Sequence, residues 1–172
     1  MMRLIVAAVF ALVVLTASCG SSKVQKSCIE SRRGGLEATR RGMMGAFVPK
    51  CDADGSFSAV QRRGSAYFCV SREGETIPGY GAPIHLHAGM NCRCARDQFQ
   101  WRKKKLLGLT FRCLKNGNYA PVQCRGSVCY CVDPRGRKSE IEVSIGHIRQ
   151  LVCPYAVEDD VYEEFEEEFP IF

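Results

Sequence analysis

CLKNGNYAPVQCRGSVCYCVDPRG, residues 113–136, is a segment that this chain contains in two versions. The other version, CDADGSFSAVQRRGSAYFCVSREG, occupies residues 51–74, which is 62 positions earlier. In both versions the same 18-residue interval separates an early cysteine from a later one, and the glycines and a Val-Gln pair match. Such self-similarity at a fixed period is the mark of a repeated module. The sequence therefore predicts two small domains in tandem.

The cysteines assign the rest of the chain to these two modules. Four belong to the first module and six to the second, and only Arg93 separates the two sets: Cys28, Cys51, Cys69 and Cys92; Cys94, Cys113, Cys124, Cys129, Cys131 and Cys153. An even, dense set of cysteines indicates a disulfide framework formed in an oxidising compartment. Modules of roughly 60 to 70 residues need such cross-links, because their cores are small. Spacing alone leaves 3 connectivities open for four cysteines and 15 for six.

The N-terminal segment favours secretion. Residues 1–18 place Arg3 before an apolar run and end in small residues, which is the layout of a signal peptide. The eleventh cysteine, Cys19, follows directly, and cleavage after it or after Gly20 would leave the even set of ten. The apolar run is too short to span a bilayer, which takes about 20 residues.

Charge is strongly segregated along the chain. Residues 21–153 contain 23 Lys and Arg against 10 Asp and Glu, whereas residues 154–172 contain 8 acids and no base. We interpret residues 154–172 as a disordered acidic tail. The asymmetry indicates an acidic partner for the body, or a tail that folds back over it.

The local patterns predict a short helix, loops and a small antiparallel hairpin in each module. The helices are expected at residues 31–41 and 97–107, and the Asp-Gly and Asn-Gly pairs at 54–55 and 116–117 predict turns. Aromatic and valine residues after each turn predict strands that reverse at Gly64 and Gly126. Residues 78–83, which are rich in glycine and proline, are expected to be a loop.

The second version of the segment resembles the thyroglobulin type-1 domain. The resemblance rests on a Gln-Cys pair, a glycine and a Cys-aromatic-Cys-Val-Asp core at residues 123–133, with Tyr130 in place of the tryptophan usual in that family. The first module is similar from Pro49 through Gly74, and Ile77-Pro78-Gly79 extends the match. The chain thus resembles a small disulfide-rich α+β protein with modules at residues 25–92 and 93–153.

The family pairs its cysteines sequentially, and this resemblance implies a set of bridges. They are Cys28–Cys51, Cys69–Cys92, Cys94–Cys113, Cys124–Cys129 and Cys131–Cys153. Arg62 and Tyr67 stand in the first module where the second has its middle pair, which makes the first module a four-cysteine variant.

Members of the family often inhibit papain-like cysteine proteases by inserting loops into the active-site cleft, so the resemblance implies this function. Loops at residues 42–48 or 106–110, turns at 63–65 or 125–127, and loops at 72–76 or 134–138 are the implied contacts. The candidate contact residues are Met43, Met44, Phe47, Arg63, Gly64, Ser65, Leu107, Leu109, Arg125, Gly126 and Ser127. For Met43, Met44 and Phe47 the favoured interpretation is instead a small contribution to the core. The two Arg-Gly-Ser segments are tight turns in either case.

Other motifs carry weaker signals. Arg102, Lys103, Lys104 and Lys105 could bind heparan sulfate or another polyanion, although successive helical positions do not share a face. His85 and His87 lack neighbouring acids, so we expect no metal and no cofactor. Catalysis would need a free thiolate in an oxidised scaffold, and we expect no enzyme activity. We also expect no nucleic-acid or membrane partner.

The sequence thus predicts a secreted inhibitor of papain-like cysteine proteases. The alternative is an extracellular interaction module that binds proteoglycan, matrix or a growth factor. Either protein could be a venom or salivary component, and the sequence names neither the target protease nor the module that would bind it.

Overall fold

The computed structural model describes residues 27–106 and 109–154. The elements of the first module are helix α1 (Cys28–Arg40) and strands β1 (Val60–Arg63), β2 (Ala66–Val70) and β3 (Thr76–Pro83). Those of the second are helix α2 (Arg93–Lys103) and strands β4 (Val122–Arg125), β5 (Val128–Val132) and β6 (Lys138–Ser144). Short 3₁₀ helices follow β3 at Ile84–Leu86 and β6 at Ile145–Gln150. The expected signal peptide, Cys19, Leu107 and residues 155–172 of the tail lie outside the described residues.

Helix α1 begins earlier than predicted because of its N-terminal cap. The Ser27 hydroxyl accepts a hydrogen bond from the Glu30 N–H, and the Glu30 carboxylate accepts one from the Ser27 N–H. This reciprocal pair satisfies two backbone donors that a helix start otherwise leaves without partners. The helix ends where Gly42 takes a φ of 81°, and the Met43 N–H donates back to the Ala38 carbonyl. Glycine adopts this left-handed conformation without strain.

Each module contains a three-stranded antiparallel sheet rather than the predicted hairpin. The strand orders are β1-β2-β3 and β4-β5-β6, and the first two strands of each sheet are joined by the expected turns at Gly64 and Gly126. The prediction of a loop at residues 78–83 is wrong, because these residues belong to β3. Since β3 pairs only with β2 and its register shifts between Phe68 and Val70, Pro78 can be accommodated without the N–H it lacks.

A buried glutamine joins the strands of each sheet to the preceding loop. The Gln61 amide donates to the carbonyls of Lys50 and Ser58 at 2.7 and 2.8 Å, and its oxygen accepts from the Lys50 N–H at 2.8 Å. Gln123 makes the matching bonds to Arg112 and Ala120. Both side chains are buried, and these bonds give their amide groups the hydrogen-bond partners that buried polar groups need.

Five disulfides cross-link the described residues. They join Cys28 to Cys51, Cys69 to Cys92, Cys94 to Cys113, Cys124 to Cys129, and Cys131 to Cys153. These are the pairs that the family resemblance implies. Neither α1 nor α2 has the length and apolar character that crossing a bilayer requires.

The helix of the second module packs against the sheet of the first. Ala95 is buried in one cluster with Cys69, Ile77 and Cys92, and Phe99 packs on its side. The two modules therefore share a core, although the sequence divides them at Arg93.

A single arginine of α2 reinforces this contact. Its guanidinium donates to three backbone carbonyls of the first module, those of Phe57, Val70 and Ser71, at 2.5, 2.7 and 3.2 Å. Burial lowers the pKa of Arg96, yet a guanidinium stays charged at any physiological pH. Charge-assisted bonds of this kind are stronger than neutral ones.

The Asn116-Gly117 turn closes the contact from the other side. The Ala95 N–H donates to the Gly117 carbonyl at 3.1 Å, and the Gly81 N–H of β3 donates to the Lys115 carbonyl at 2.9 Å. Gly117 has a φ of 78°, and a Cβ added there would lie 2.5 Å from the Cys69 sulfur. Glycine is thus required by both its conformation and its surroundings.

Candidate functional site

In the first module, the loop at residues 42–48 is fastened to the turn at residues 63–65. The Arg63 guanidinium lies 5.0 Å from the centroid of the Phe47 ring and 5.6 Å from that of Phe68. The two rings are themselves 6.2 Å apart. Stacking of a cation on two aromatic faces holds the loop and the strands together without further disulfides.

Within this loop, Met43 and Met44 point into solvent. Their exposed fractions are 56% and 99%, so the favoured interpretation of these two methionines as core residues is wrong. They are bracketed by Gly42 and Gly45, both in the left-handed region, which turn the chain outward on each side. Phe47, in contrast, is half-buried and anchors the loop.

A third segment joins the same end of the sheet. The Ile84 N–H donates to the Ser65 carbonyl at 2.8 Å, and Ile84 and Leu86 are 39% and 62% exposed. We call residues 42–48, 63–65 and 84–86 together the module-one edge. Residues 72–76, the third loop expected from the resemblance, follow β2 and lie at the opposite end of the sheet. That residues 84–86 belong to this surface was not predicted from the sequence, although an isoleucine and a leucine directly after the proline that ends β3 could have indicated it.

A stack of side chains occupies the place of the absent middle disulfide. Arg62 and Tyr67 are cross-strand partners in the same register as Cys124 and Cys129. The Arg62 guanidinium lies 6.0 Å from the centroid of the Tyr67 ring, and His87 stacks on that ring at 4.1 Å with an interplanar angle of 5°. The Nδ1 of His87 is bonded to the Ile84 carbonyl, which ties the stack to the module-one edge.

The second module repeats the geometry with different side chains. The Ile145 N–H donates to the Ser127 carbonyl, and the Cys124–Cys129 bridge spans the base of the Arg125-Gly126-Ser127 turn. Ile145 and Val128 are 53% and 38% exposed. Of the leucines assigned to its first loop, Leu109 is half-buried and Leu107 lies outside the described residues.

The opposite ends of the two sheets are tightened by different residues. Asp133 accepts hydrogen bonds from the N–H groups of Arg135 and Arg137 and from the Arg137 side chain. Burial raises the pKa of Asp133, but these hydrogen bonds outweigh it and hold the pKa below its ordinary value. In the first module the Ser71 hydroxyl accepts the corresponding bonds from Glu73 and Glu75, and it carries no charge.

Tyr119 links helix α2 to the repeated segment of its own module. Its hydroxyl donates to the Asp97 carboxylate at 2.5 Å. Burial, together with this bond to a carboxylate, raises the pKa of Tyr119 well above its ordinary value. The side chain therefore acts as a neutral structural donor.

The basic run at the end of α2 is exposed but only partly available. Arg102, Lys103, Lys104 and Lys105 are all exposed. Lys103 forms an ion pair with Glu75 of the first module at 3.1 Å, and Lys105 has left the helix with a φ of 53°. The run thus splits at the helix end rather than forming one stripe.

No metal site forms within residues 27–106 and 109–154, where no three side chains of His, Cys, Asp or Glu converge. His87 is engaged with Tyr67, as described above, and the neighbouring His85 is exposed.

The two repeated modules match a known protein family. The model of the thyroglobulin type-1 repeat matches residues 24–85 and 92–145, which together make up more than half of the chain. The chain belongs to the thyroglobulin type-1 repeat family.

Similarity to individual proteins covers part of the chain. It is 33% identical to thyroglobulin of Bos taurus over 100 residues, which is 53% of the chain and 4% of thyroglobulin. It is 35% identical to equistatin of Actinia equina over 98 residues, covering 52% of the chain and 42% of equistatin. A third relative, U20-hexatoxin-Hi1a of Hadronyche infensa, is 24% identical over 126 residues, covering 72% of the chain and 86% of the toxin.

Proposed function

We propose that this protein is a secreted inhibitor of papain-like cysteine proteases that blocks the active-site cleft with the module-one edge. The proposal is supported by family membership, since the family resemblance implies this activity, and by the similarity to equistatin. It describes a binding protein that performs no chemistry on its target.

One observation carries the assignment to the first module. Its edge presents four exposed apolar side chains from two segments that the same turn holds in place: Met43, Met44, Ile84 and Leu86. The fully buried centre of a protein–protein interface is more apolar than the rest of the surface, and such side chains can supply it. Among the described residues, the equivalent end of the second module presents three such side chains, those of Leu106, Val128 and Ile145, with exposed fractions of 45%, 38% and 53%.

The anchoring of these loops explains how binding could be tight. Arg63 contacts the loop at residues 42–48 through Phe47, and the Cys28–Cys51 bridge fixes the segment that follows this loop. A loop that is already ordered loses little conformational entropy when it enters a cleft. A flexible substrate peptide loses more, so the edge can compete with it.

Titration of papain with the oxidised, full-length chain tests the proposal. We expect residual activity to fall with a reversible, competitive dependence on inhibitor concentration, and we expect a reduced and alkylated sample to be inactive. Full papain activity at micromolar concentrations of the folded chain would rule the function out.

Matched charge variants test the edge. Met44→Glu places a charge on the proposed contact and should raise the inhibition constant at least about tenfold, because a buried unpaired charge is costly. Thr76→Glu adds the same charge at the opposite, exposed end of the same sheet and should leave inhibition unchanged. Equal effects of the two variants would place the contact elsewhere. Ser127→Glu adds the same charge to the equivalent turn of the second module and tests whether that turn contributes to binding.

The excess of basic residues supports a second candidate, binding of a sulfated polyanion such as heparan sulfate. The chain from residue 21 to 153 has 23 basic against 10 acidic residues, and Arg102, Lys104 and Lys105 are exposed at one helix end. Screening by salt weakens contacts of this kind.

Heparin chromatography separates the two candidates. Substitution of Arg102, Lys104 and Lys105 by alanine spares Lys103, which forms an ion pair with Glu75. Retention that is lost in this variant while papain inhibition survives would assign separate surfaces to the two activities. Retention unchanged by the substitutions would exclude this helix end as the polyanion site.

The route of delivery is also a proposal. Five disulfides are typical of a protein made in an oxidising compartment. We propose secretion, and the similarity to a hexatoxin supports a venom component as one form of it. Mass measurement of the secreted chain would identify the mature N-terminus.

A further inference from the structure

The described residues leave few sulfur atoms open to oxidation. All ten cysteines between residues 27 and 154 are paired in disulfides. Met90 packs against the buried cluster around Cys69 and Cys92. Met43 and Met44 are the remaining methionines in this part of the chain, and their exposed fractions are 56% and 99%.

The thioether sulfur atoms of Met43 and Met44 are accessible from solvent in the folded chain. They stand at the tip of the module-one edge, between two left-handed glycines, and Phe47 anchors the loop only at its base. A peroxide can reach them without unfolding the chain, because no other group covers Met44.

We propose that Met44 and, after it, Met43 form an oxidation switch on the module-one edge. In this step a lone pair of the thioether sulfur attacks one oxygen of hydrogen peroxide. A sulfur–oxygen bond forms, the oxygen–oxygen bond breaks, and the second oxygen leaves as water after a proton shift. Sulfur loses two electrons and the peroxide gains them. The product sulfoxide is polar where the thioether was apolar.

The inference rests on the proposed function, because it concerns the regulation of the same surface. A sulfoxide buried in an apolar cleft without a hydrogen-bond partner is disfavoured, and the burial of the methionine side chain is lost. The inhibition constant for papain should therefore rise about tenfold or more on oxidation of Met44.

The test treats the folded full-length chain with hydrogen peroxide, removes the peroxide, and then titrates papain. Peptide mass spectrometry should find an added oxygen on Met44 first, then on Met43, with Met90 the slowest. Inhibition should weaken in step with Met44 oxidation. The inhibition constant of the Met43→Leu/Met44→Leu double variant, compared with that variant's own untreated value, should not change on treatment, whereas Met90→Leu should lose inhibition as the unaltered chain does.

Three outcomes would overturn the inference. They are inhibition that is unchanged when Met44 is fully oxidised, loss of inhibition in the double leucine variant equal to that of the unaltered chain, and oxidation of Met90 before Met44. A different outcome concerns the function itself. If the untreated chain leaves papain active, the proposed function fails and the switch fails with it.

Discussion

At the scale of single residues, the two modules use one buried glutamine for the same purpose. Gln61 and Gln123 each satisfy three backbone groups of the segment before the first strand. No apolar side chain can do this, and a shorter amide would not reach. The matching Val-Gln pair in the sequence is therefore a structural requirement of the repeat, and it carries no information about the target.

Replacement of Gln61 by alanine should lower the free energy of unfolding by about 3 kcal/mol, because Lys50 and Ser58 keep buried polar groups without partners. Guanidinium unfolding of the oxidised protein measures the change. The exposed Gln150 is the control, and Gln150→Ala should alter stability by less than about 0.5 kcal/mol. Equal losses in both variants would mean that the hydrogen bonds of Gln61 contribute little.

The charged Asp133, at the position equivalent to Ser71 of the first module, leads to a prediction about the stability of the protein at low pH. Because the folded pKa of Asp133 is lowered, the carboxylate contributes stability above its unfolded pKa of about 4 and loses it as the pH falls through the lower folded value. Asp133→Ser should therefore be less stable than the unaltered protein at pH 7. The difference should shrink as the pH approaches about 2.

Thermal unfolding at a series of pH values checks this prediction. Gln150→Ala provides the control, since an exposed neutral amide does not titrate and its loss should change stability little at every pH in this range. A difference for Asp133→Ser that is constant with pH would contradict the assignment of the stabilising charge to this turn.

At the scale of elements, the hairpin of the first module differs from that of the second in how its strands are held. The second uses Cys124–Cys129, and the first uses the stack of Arg62, Tyr67 and His87. Sequence comparison of the modules shows the lost bridge, but it does not reveal the stack, because His87 follows Tyr67 by 20 residues and comes from beyond β3.

Arg62→Cys combined with Tyr67→Cys should restore the bridge, because the two residues face each other in the cysteine register. The closed loop is short, so the chain-entropy model gives a gain of about 2 kcal/mol. Loss of the stack offsets about 1 kcal/mol of it. Unfolding of the oxidised variant against the unaltered chain measures the net gain. Two free thiols detected in the folded variant would contradict the proposed register.

Turn chemistry and periodic segments explain which elements the sequence could predict. The Asp-Gly and Asn-Gly turns and the first two strands of each sheet were predicted correctly, since each depends on neighbouring residues. Both helices were predicted, but they begin at residues 28 and 93, which is three and four residues earlier than expected. Strand β3 was missed because Pro78 and Gly79 are strand-breaking residues that only an edge position tolerates. The exposure of Met43 and Met44 was missed because an apolar pair in sequence normally indicates a core.

At the scale of the whole molecule, the sequence boundary and the packing boundary differ. Arg93 is where the cysteine sets divide, yet Ala95 and Phe99 complete the core of the first module. Nothing in the local pattern of α2 shows which sheet it will cover, because this contact joins residues far apart in the chain. A fragment that ends at Cys92 would expose Ile77, so variants of the full chain are the better way to assign function to a module.

Alanine substitutions at two equivalent glycines test how tightly the two modules pack together. Gly55 and Gly117 have φ values of 81° and 78°, so alanine at either position is strained. Only at Gly117 would the added Cβ also collide, at 2.5 Å from the Cys69 sulfur, whereas at Gly55 its nearest neighbour is Ile29 at 3.5 Å. Gly55→Ala should cost about 1 kcal/mol and Gly117→Ala about 3 kcal/mol. Chemical unfolding of both variants gives the difference, and equal costs would mean that the modules pack loosely.

The position of Gly117 over the Cys69–Cys92 bridge also sets an order for folding as the chain is made. The first module can close Cys28–Cys51 with its own residues. Its second bridge, however, gains its cover only when α2 and the turn at residues 116–117 have been synthesised. Until then the sulfurs of Cys69 and Cys92 remain open to thiol exchange, so an error in pairing can still be corrected. Completion of the second module thus ends the period in which the first can be repaired.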